Sequence, residues 1–249
     1  MSIVDQAKQP EDRPLVVTLL GENGLGKTTT AATWPKPVVI RAEDGVNGVP
    51  KGFRPDALPV INRVEDLWDQ LKALCSEEHD YKTVIIDSIT QLEQMFIQKV
   101  VDNDPKVSNI NQANGGYGAG REAVATMHRR VRKAADVLVS KGMHVVFIAH
   151  ADIAKMDPPD GDPYTRYELR LHRTSVSPYT DNVDVVGYLK LQTYTTGDGD
   201  RKQAVTDGQR VLVTYATPSN VSKNRLHITE DLPVSIGVNP LADYVEEYK

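Results

Sequence analysis

At 249 residues, 40% apolar and 25% charged, the chain has a globular composition and enough length to fill a large core, which excludes general disorder. A net charge of −5 excludes bulk coating of nucleic acid but not binding through a local basic strip. A lone Cys75 excludes an intrachain disulfide and suits a reducing cytoplasm, and apolar runs such as "VVFIA" at 145–149 are too short to span a bilayer.

The polar "MSIVDQAKQPEDRP" lacks the apolar stretch of a signal peptide and reads as a flexible leader over residues 1–14. "LVVTLLG" (15–21) predicts a buried strand, followed by a short helix from Lys27 to about Trp34 that Pro35 and Pro37 stop. "PVVIRA" (37–42) is a second strand. Residues 64–75 put Val64, Leu67, Trp68, Leu71, Leu74 and Cys75 on one helical face. "TVIIDS" (83–88) is a third strand, with a helix carrying Leu92, Met95, Phe96 and Val100 after it.

Residues 102–120 are rich in Asn and Gly without a period and predict a long loop. A long helix from about Arg121 to Ser140 leads into the strand "HVVFIAHA" (144–151). Residues 155–175, rich in Pro, Asp and Arg, predict a second irregular segment. Beyond it, "DVVGYLKLQTYTTG" and "QRVLVTYAT" form a hairpin pattern around the turn-rich "GDGD". Alternating strands and helices imply an α/β fold with a mostly parallel sheet flanked by helices and a hairpin-rich C-terminal part. No internal repeat stands out, and residues 15–249 read as a single domain.

The strongest motif is Gly21, four residues, then Gly26-Lys27-Thr28, set between a strand and a helix start. Its backbone N–H groups, spanning Gly21, Glu22, Asn23, Gly24, Leu25, Gly26, Lys27, Thr28 and Thr29, suit a cradle for nucleotide phosphates. Lys27 reaches the β- and γ-phosphates, and the Thr28 hydroxyl suits Mg²⁺, with Asp87 at the end of the third strand as its expected partner. Ala154 stands where a guanine-reading Asn would be in "AKMD", and no Asp-x-x-Gly follows the third strand, so the expected nucleotide is ATP.

Glu43, just past the second strand in "RAEDG", is a candidate for orienting the attacking water. His150, ending "HVVFIAH", is a candidate for sensing the γ-phosphate. Each also has a plain reading, as a turn residue and a structural histidine. The same holds for two basic strips, one of Arg121, Arg129, Arg130, Arg132 and Lys133 and one of Arg166, Arg170 and Arg173, which read equally as solvated surface. A kinase using the second strip as a lid, or a slow ATP switch loading a partner, stays open on the residues alone.

"GENGLGKTT", "RAEDG", "IIDS", "FIAH" and "SKNR" occur in the order and approximate spacing of the RecA-like recombinase ATPase core, and the chain resembles its phage-encoded, core-only members over roughly residues 15–230. The resemblance implies Glu43 as catalytic base, His150 as the strand-end sensor and Asp87-Ser88 as the family's Asp-Ser pair. It also implies that Lys223 and Arg225 of "VSKNRLH" reach a neighbouring subunit's ATP, a role worth on the order of 10³–10⁵ in rate. It further implies an ATP-dependent homo-oligomer, filament or ring, acting on single-stranded DNA with a single-strand binding or annealing protein. In that fold two loops line the DNA path. Here they correspond to segment 104–120, with Lys106 and Tyr117, and segment 155–175, with Tyr164, Arg166, Tyr167, Arg170 and Arg173. The resemblance is to core-only members, so counterparts of RecA's N-terminal polymerisation helix and C-terminal domain are not expected.

Overall fold

Four strands of the sequence, at 15–21, 37–42, 83–88 and 144–151, are apolar without alternation or nearly so, which a sheet covered on both faces requires. A computed structural model of the chain, describing residues 2–8, 12–196, 203–245 and 248, shows such a sheet. Its strands are β1 (Val16–Gly21), β2 (Pro37–Arg41), β3 (Asp56–Ala57), β4 (Thr83–Asp87), β5 (His144–Met156), β6 (Tyr164–Leu169), β7 (Val185–Thr196), β8 (Gln203–Val213), β9 (Lys223–Asn224) and β10 (Leu232–Val234). The helices are α1 (Lys27–Ala31), α2 (Val64–Ser76), α3 (Ile89–Asp102), α4 (Ala119–Ser140) and α5 (Ser177–Thr180).

The main sheet runs β3-β2-β4-β5-β1-β7-β8-β10. The six strands from β3 to β7 in this order are parallel, and β8 and β10 add an antiparallel edge. The fold is thus the α/β arrangement the sequence implied, with antiparallel strands at its C-terminal end. The "GDGD" turn lies outside the described residues.

Side chains alternate between two cores. Val16 and Leu20 of β1, with Val84 and Ile86 of β4, face α2, α3 and α4. Val17 and Leu19, with Ile85, face α1 and the C-terminal segment through Ala31, Trp34, Leu241 and Val245. Helix α2 buries Val64, Leu67, Leu71 and Leu74, and Asp66 caps its start by accepting from the Asn62 and Arg63 backbone N–H groups at 3.0 Å. Ser88 caps α3, accepting from the Gln91 N–H at 3.2 Å. Phe96 of α3 is fully buried between the Trp68 ring at 5.9 Å and the His128 ring at 5.0 Å.

One expectation is overturned. Residues 155–175 are not irregular throughout, because β5 runs on past the sheet and pairs with β6 in an antiparallel ribbon, from Ala151 opposite Leu169 to Met156 opposite Tyr164. "PPDGDP" at 158–163 is the turn of this hairpin, and its prolines and aspartates gave the whole stretch the look of a loop. Segment 102–120 is irregular as expected, with one 3-10 turn at Ala113–Gly115, and Ile110 and Ala113 anchor it in the core.

Phe96→Ala empties the space between Trp68 and His128. A loss of about 3–5 kcal/mol in unfolding free energy is expected from urea denaturation.

Candidate active site

Parallel register sets the polar groups of the site at one level. Gly21 of β1 lies beside His150 of β5, while Asp87 of β4 lies beside Ile148 of β5 and Arg41 of β2. Strand β5 therefore separates the phosphate-loop strand from the Asp87 strand, and His150 projects at the carboxyl end between them.

The loop after β1 enters α1 through Gly26, whose φ of 87° is the left-handed conformation a glycine supplies without strain. Lys27 is buried, and its Nζ donates to the Gly21 and Glu22 carbonyls at 2.9 Å each. Burial lowers its pKa, against the opposing pull of Asp87 and Glu43. The Thr28 hydroxyl donates to Asp87 Oδ2 at 2.7 Å. Asp87 is buried, and that burial first, with the Glu43 charge second, pushes its carboxyl up to about 6 against the Thr28 hydrogen bond.

Glu43, past the end of β2, turns back toward β5. His150 Nε2 stands 3.0 and 3.3 Å from its two carboxylate oxygens, and Nδ1 contacts Asn23 Oδ1 in the phosphate loop. The His150 hydrogen bond holds Glu43 below the usual carboxylate range although burial acts the other way. The two carboxylates are thus driven apart, one up and one down, as expected for neighbouring acids in different surroundings. Lys27, Thr28, Thr29, Glu43, Asp87 and His150 line one cavity of about 560 Å³.

Thr28 and Asp87 fit a magnesium ion. Gly45 has no side chain where a Cβ would stand 2.8 Å from Asp87 Oδ2 and 3.0 Å from the Thr28 hydroxyl, so the space beside the pair is kept open. Among the described residues no group of three or more His, Cys, Asp or Glu could hold a metal ion on its own. When bound, such an ion neutralises charge on the β- and γ-phosphates.

Arg210 was not singled out by the sequence. It comes from β8 and donates to the Leu25 carbonyl at 3.3 Å, and it lines the same cavity. No local motif marks it, since only the pairing of β8 beside β7 and β1 brings it there.

Lys223 and Arg225 stand elsewhere. Lys223 lies opposite Val186 and Arg225 follows β9, so both sit at the amino end of β7 and β1. Lys223 Nζ donates to the Asp181 carbonyl, and Arg225 pairs with Asp184 at 3.5 Å. The length of β1, roughly 17–20 Å, separates them from the phosphate loop of their own chain. The strand expected to carry both is only two residues long, and Arg225 lies beyond it.

The candidate nucleic-acid residues are mixed. Tyr117 is fully exposed, and Lys106 and Arg173 are exposed. Tyr164 pairs with Met156 at the free end of the ribbon. Arg166 is tied to Glu168, Tyr167 stacks on Tyr188 at 4.9 Å, and Arg170 donates to the Ala151 carbonyl at 3.0 Å. In the α4 strip, Arg129 pairs with Glu122, Arg130 covers the Trp68 ring at 4.1 Å and Arg132 pairs with Asp136 at 2.8 Å, which gives much of that strip a structural role.

A phosphate loop leading from a buried parallel strand into a helix, beside a Thr-Asp pair, defines a P-loop NTPase. Residues 13–226 match the family model described as an AAA domain, and the chain belongs to that family. It is 28% identical over 192 residues to the SPbeta prophage-derived uncharacterized protein YorG of Bacillus subtilis (strain 168), covering 75% of this chain and 53% of that protein. The chain thus spans about half the length of the curated relative it matches. The solved KaiC-like protein PH0186 from Pyrococcus horikoshii OT3 matches at 15% identity and a TM-score of 0.47, over 91% of this chain and 88% of that one. No helix among the described residues is long and apolar enough to cross a membrane.

With the Asp87 carboxyl at about 6, protonation competes with a cation below that pH. MgADP affinity is expected to fall about tenfold per pH unit below 6 and to level off above it. Titration calorimetry at pH 5 and 7.5 checks this, and Asp87→Asn should bind weakly at both.

Proposed function

We propose that the chain is a magnesium-dependent ATPase of the recombinase type, which assembles with ATP between subunits and acts on single-stranded DNA in recombination or annealing. The observation that carries the hydrolytic part is the Glu43–His150 pair beside Lys27 and the Thr28–Asp87 pair. In this reading Glu43 accepts the proton of the attacking water, His150 fixes the carboxylate and links it to the phosphate loop through Asn23, and Lys27 stabilises charge on the transferred phosphate.

Support for assembly comes from Lys223 and Arg225. Two cations at the amino end of the sheet cannot serve their own phosphate loop, and a neighbouring subunit's nucleotide gives them a use. Support for a single-stranded partner comes from Tyr117, exposed between glycines, and from the ribbon of β5 and β6, a direct continuation of the strand that carries His150. After the corrections above, Lys106, Tyr117, Tyr164 and Arg173 are its best candidates for DNA contact. Arg166, Tyr167 and Arg170 stand behind them, holding the ribbon. An annealing or single-strand binding protein is the expected protein partner, and the bacterial cytoplasm the place of action.

A slow ATP switch that loads such a partner is a second reading, favoured by one observation: both oxygens of Glu43 face His150. Phosphate release from MgATP, measured with and without single-stranded DNA at fixed salt, separates the two. The recombinase reading expects stimulation by DNA, its loss in Lys27→Ala and a strong reduction in Lys223→Ala. Slow turnover indifferent to DNA contradicts it and leaves the switch.

A further inference from the structure

The C-terminal strands give the phosphate cavity a wall that the P-loop pattern does not explain. Arg210 on β8 pairs with Val234 on β10, and Ile236 follows two residues later. Both line the cavity, and Ile236 is 52% exposed there. The Phe53 ring lies against Gly237, which ties the turn carrying Ile236 to the segment that follows Glu43.

The Arg210 guanidinium is held at the phosphate loop itself. One nitrogen donates to the Leu25 carbonyl at 3.3 Å and would stand 2.5 Å from a Cβ on Gly26. Its other donors take no protein partner among the described residues. The charge of the cavity also favours a cation there. Its walls carry Glu43, Asp44 and Asp87 against Lys27 and Arg210, and a polyphosphate adds further negative charge.

The sheet order says which part of a nucleotide Arg210 meets. Glu43, Asp87 and His150 stand at the ends of β2, β4 and β5, on one side of β1, and mark the terminal-phosphate end. Strands β7 and β8 lie on the other side of β1. A nucleotide with its terminal phosphate among Glu43, Asp87 and His150 and the next phosphate in the loop after β1 would extend toward β7 and β8, which brings its α-phosphate and ribose to Arg210. The turn carrying Ile236, held between β10 and the Phe53 segment on the cavity wall, would meet the base.

We propose that Arg210 binds the α-phosphate and ribose oxygens of a nucleoside di- or triphosphate within its own subunit, and that Ile236 is the apolar face against which the base lies. This rests on the cavity being a nucleotide site. It makes the C-terminal strand pair part of that site, so Arg210 serves the chain's own nucleotide while Lys223 and Arg225 do not.

The test is equilibrium binding of MgADP, MgATP and magnesium tripolyphosphate, which has neither ribose nor base. The proteins are the wild type, Arg210→Ala, Arg210→Lys and Ile236→Ser, with thermal unfolding in the absence of nucleotide as a check on folding. Loss of one charge-assisted contact weakens binding of MgADP and MgATP to Arg210→Ala by about 10- to 100-fold, with Arg210→Lys intermediate. Ile236→Ser weakens both nucleotides by roughly 3- to 10-fold and leaves tripolyphosphate unchanged. Wild-type affinity for MgADP in both Arg210→Ala and Ile236→Ser overturns the proposal while leaving the nucleotide site intact. So does a loss in Ile236→Ser that is equal for tripolyphosphate and MgADP. A wild-type chain that binds none of the three overturns the reading of the cavity itself.

Discussion

The placement of β5 between β1 and β4 is the constraint on which the site depends. In a parallel sheet every strand delivers its last residues to the same edge, so the register of neighbours decides which side chains meet. Here that edge collects the phosphate loop from β1, His150 from β5, Asp87 from β4 and Glu43 from the chain leaving β2. A sheet with β1 and β4 adjacent would have no central strand end from which a histidine reaches both Asn23 and Glu43. The hydrogen bonds His150 makes to both follow from strand order before any detail of side-chain packing.

The second consequence is electrostatic. Covering the sheet on both faces places Lys27 and Asp87 where charge is poorly solvated, and each shifts toward its neutral form. Glu43, half-exposed and hydrogen-bonded by His150, shifts the other way. The edge thus holds one carboxylate that gains from a cation and another that stays ionised without one. Under the proposed function such a division gives them different tasks, metal partner and water partner, although both are acids beside the same loop. The same strand that carries His150 leaves the sheet and pairs with β6, so a displacement of His150 and a displacement of the ribbon are movements of one backbone.

Much of this was legible in the sequence. Unbroken apolar runs gave β1, β2, β4 and the first half of β5, because strands buried on both faces need no polar alternation. Gly21 through Thr29 were found as a phosphate loop and Asp87, Glu43 and His150 at or just past strand ends, and the structure lines one cavity with most of them. What was not legible was tertiary. The β5–β6 ribbon was hidden because prolines and aspartates at its turn outweighed the weak alternation of Tyr164 to Leu169. Arg210 was hidden because its position depends on strand pairing that brings together residues 185 apart in the chain. The separation of Lys223 and Arg225 from their own phosphate loop was implied by the family resemblance alone, since spacing along a chain does not say which end of a sheet a strand enters.

The central claim is that Glu43, held by His150, activates water for hydrolysis in a site whose nucleotide grip comes from other residues. The most direct measurement is MgATP binding and phosphate release side by side on Glu43→Gln, which keeps the shape and removes the base. Affinity within about twofold of wild type together with phosphate release lowered on the order of 10²–10⁴ is the expected result. Release at the wild-type rate, or a reduction fully accounted for by weaker ATP binding, contradicts the assignment.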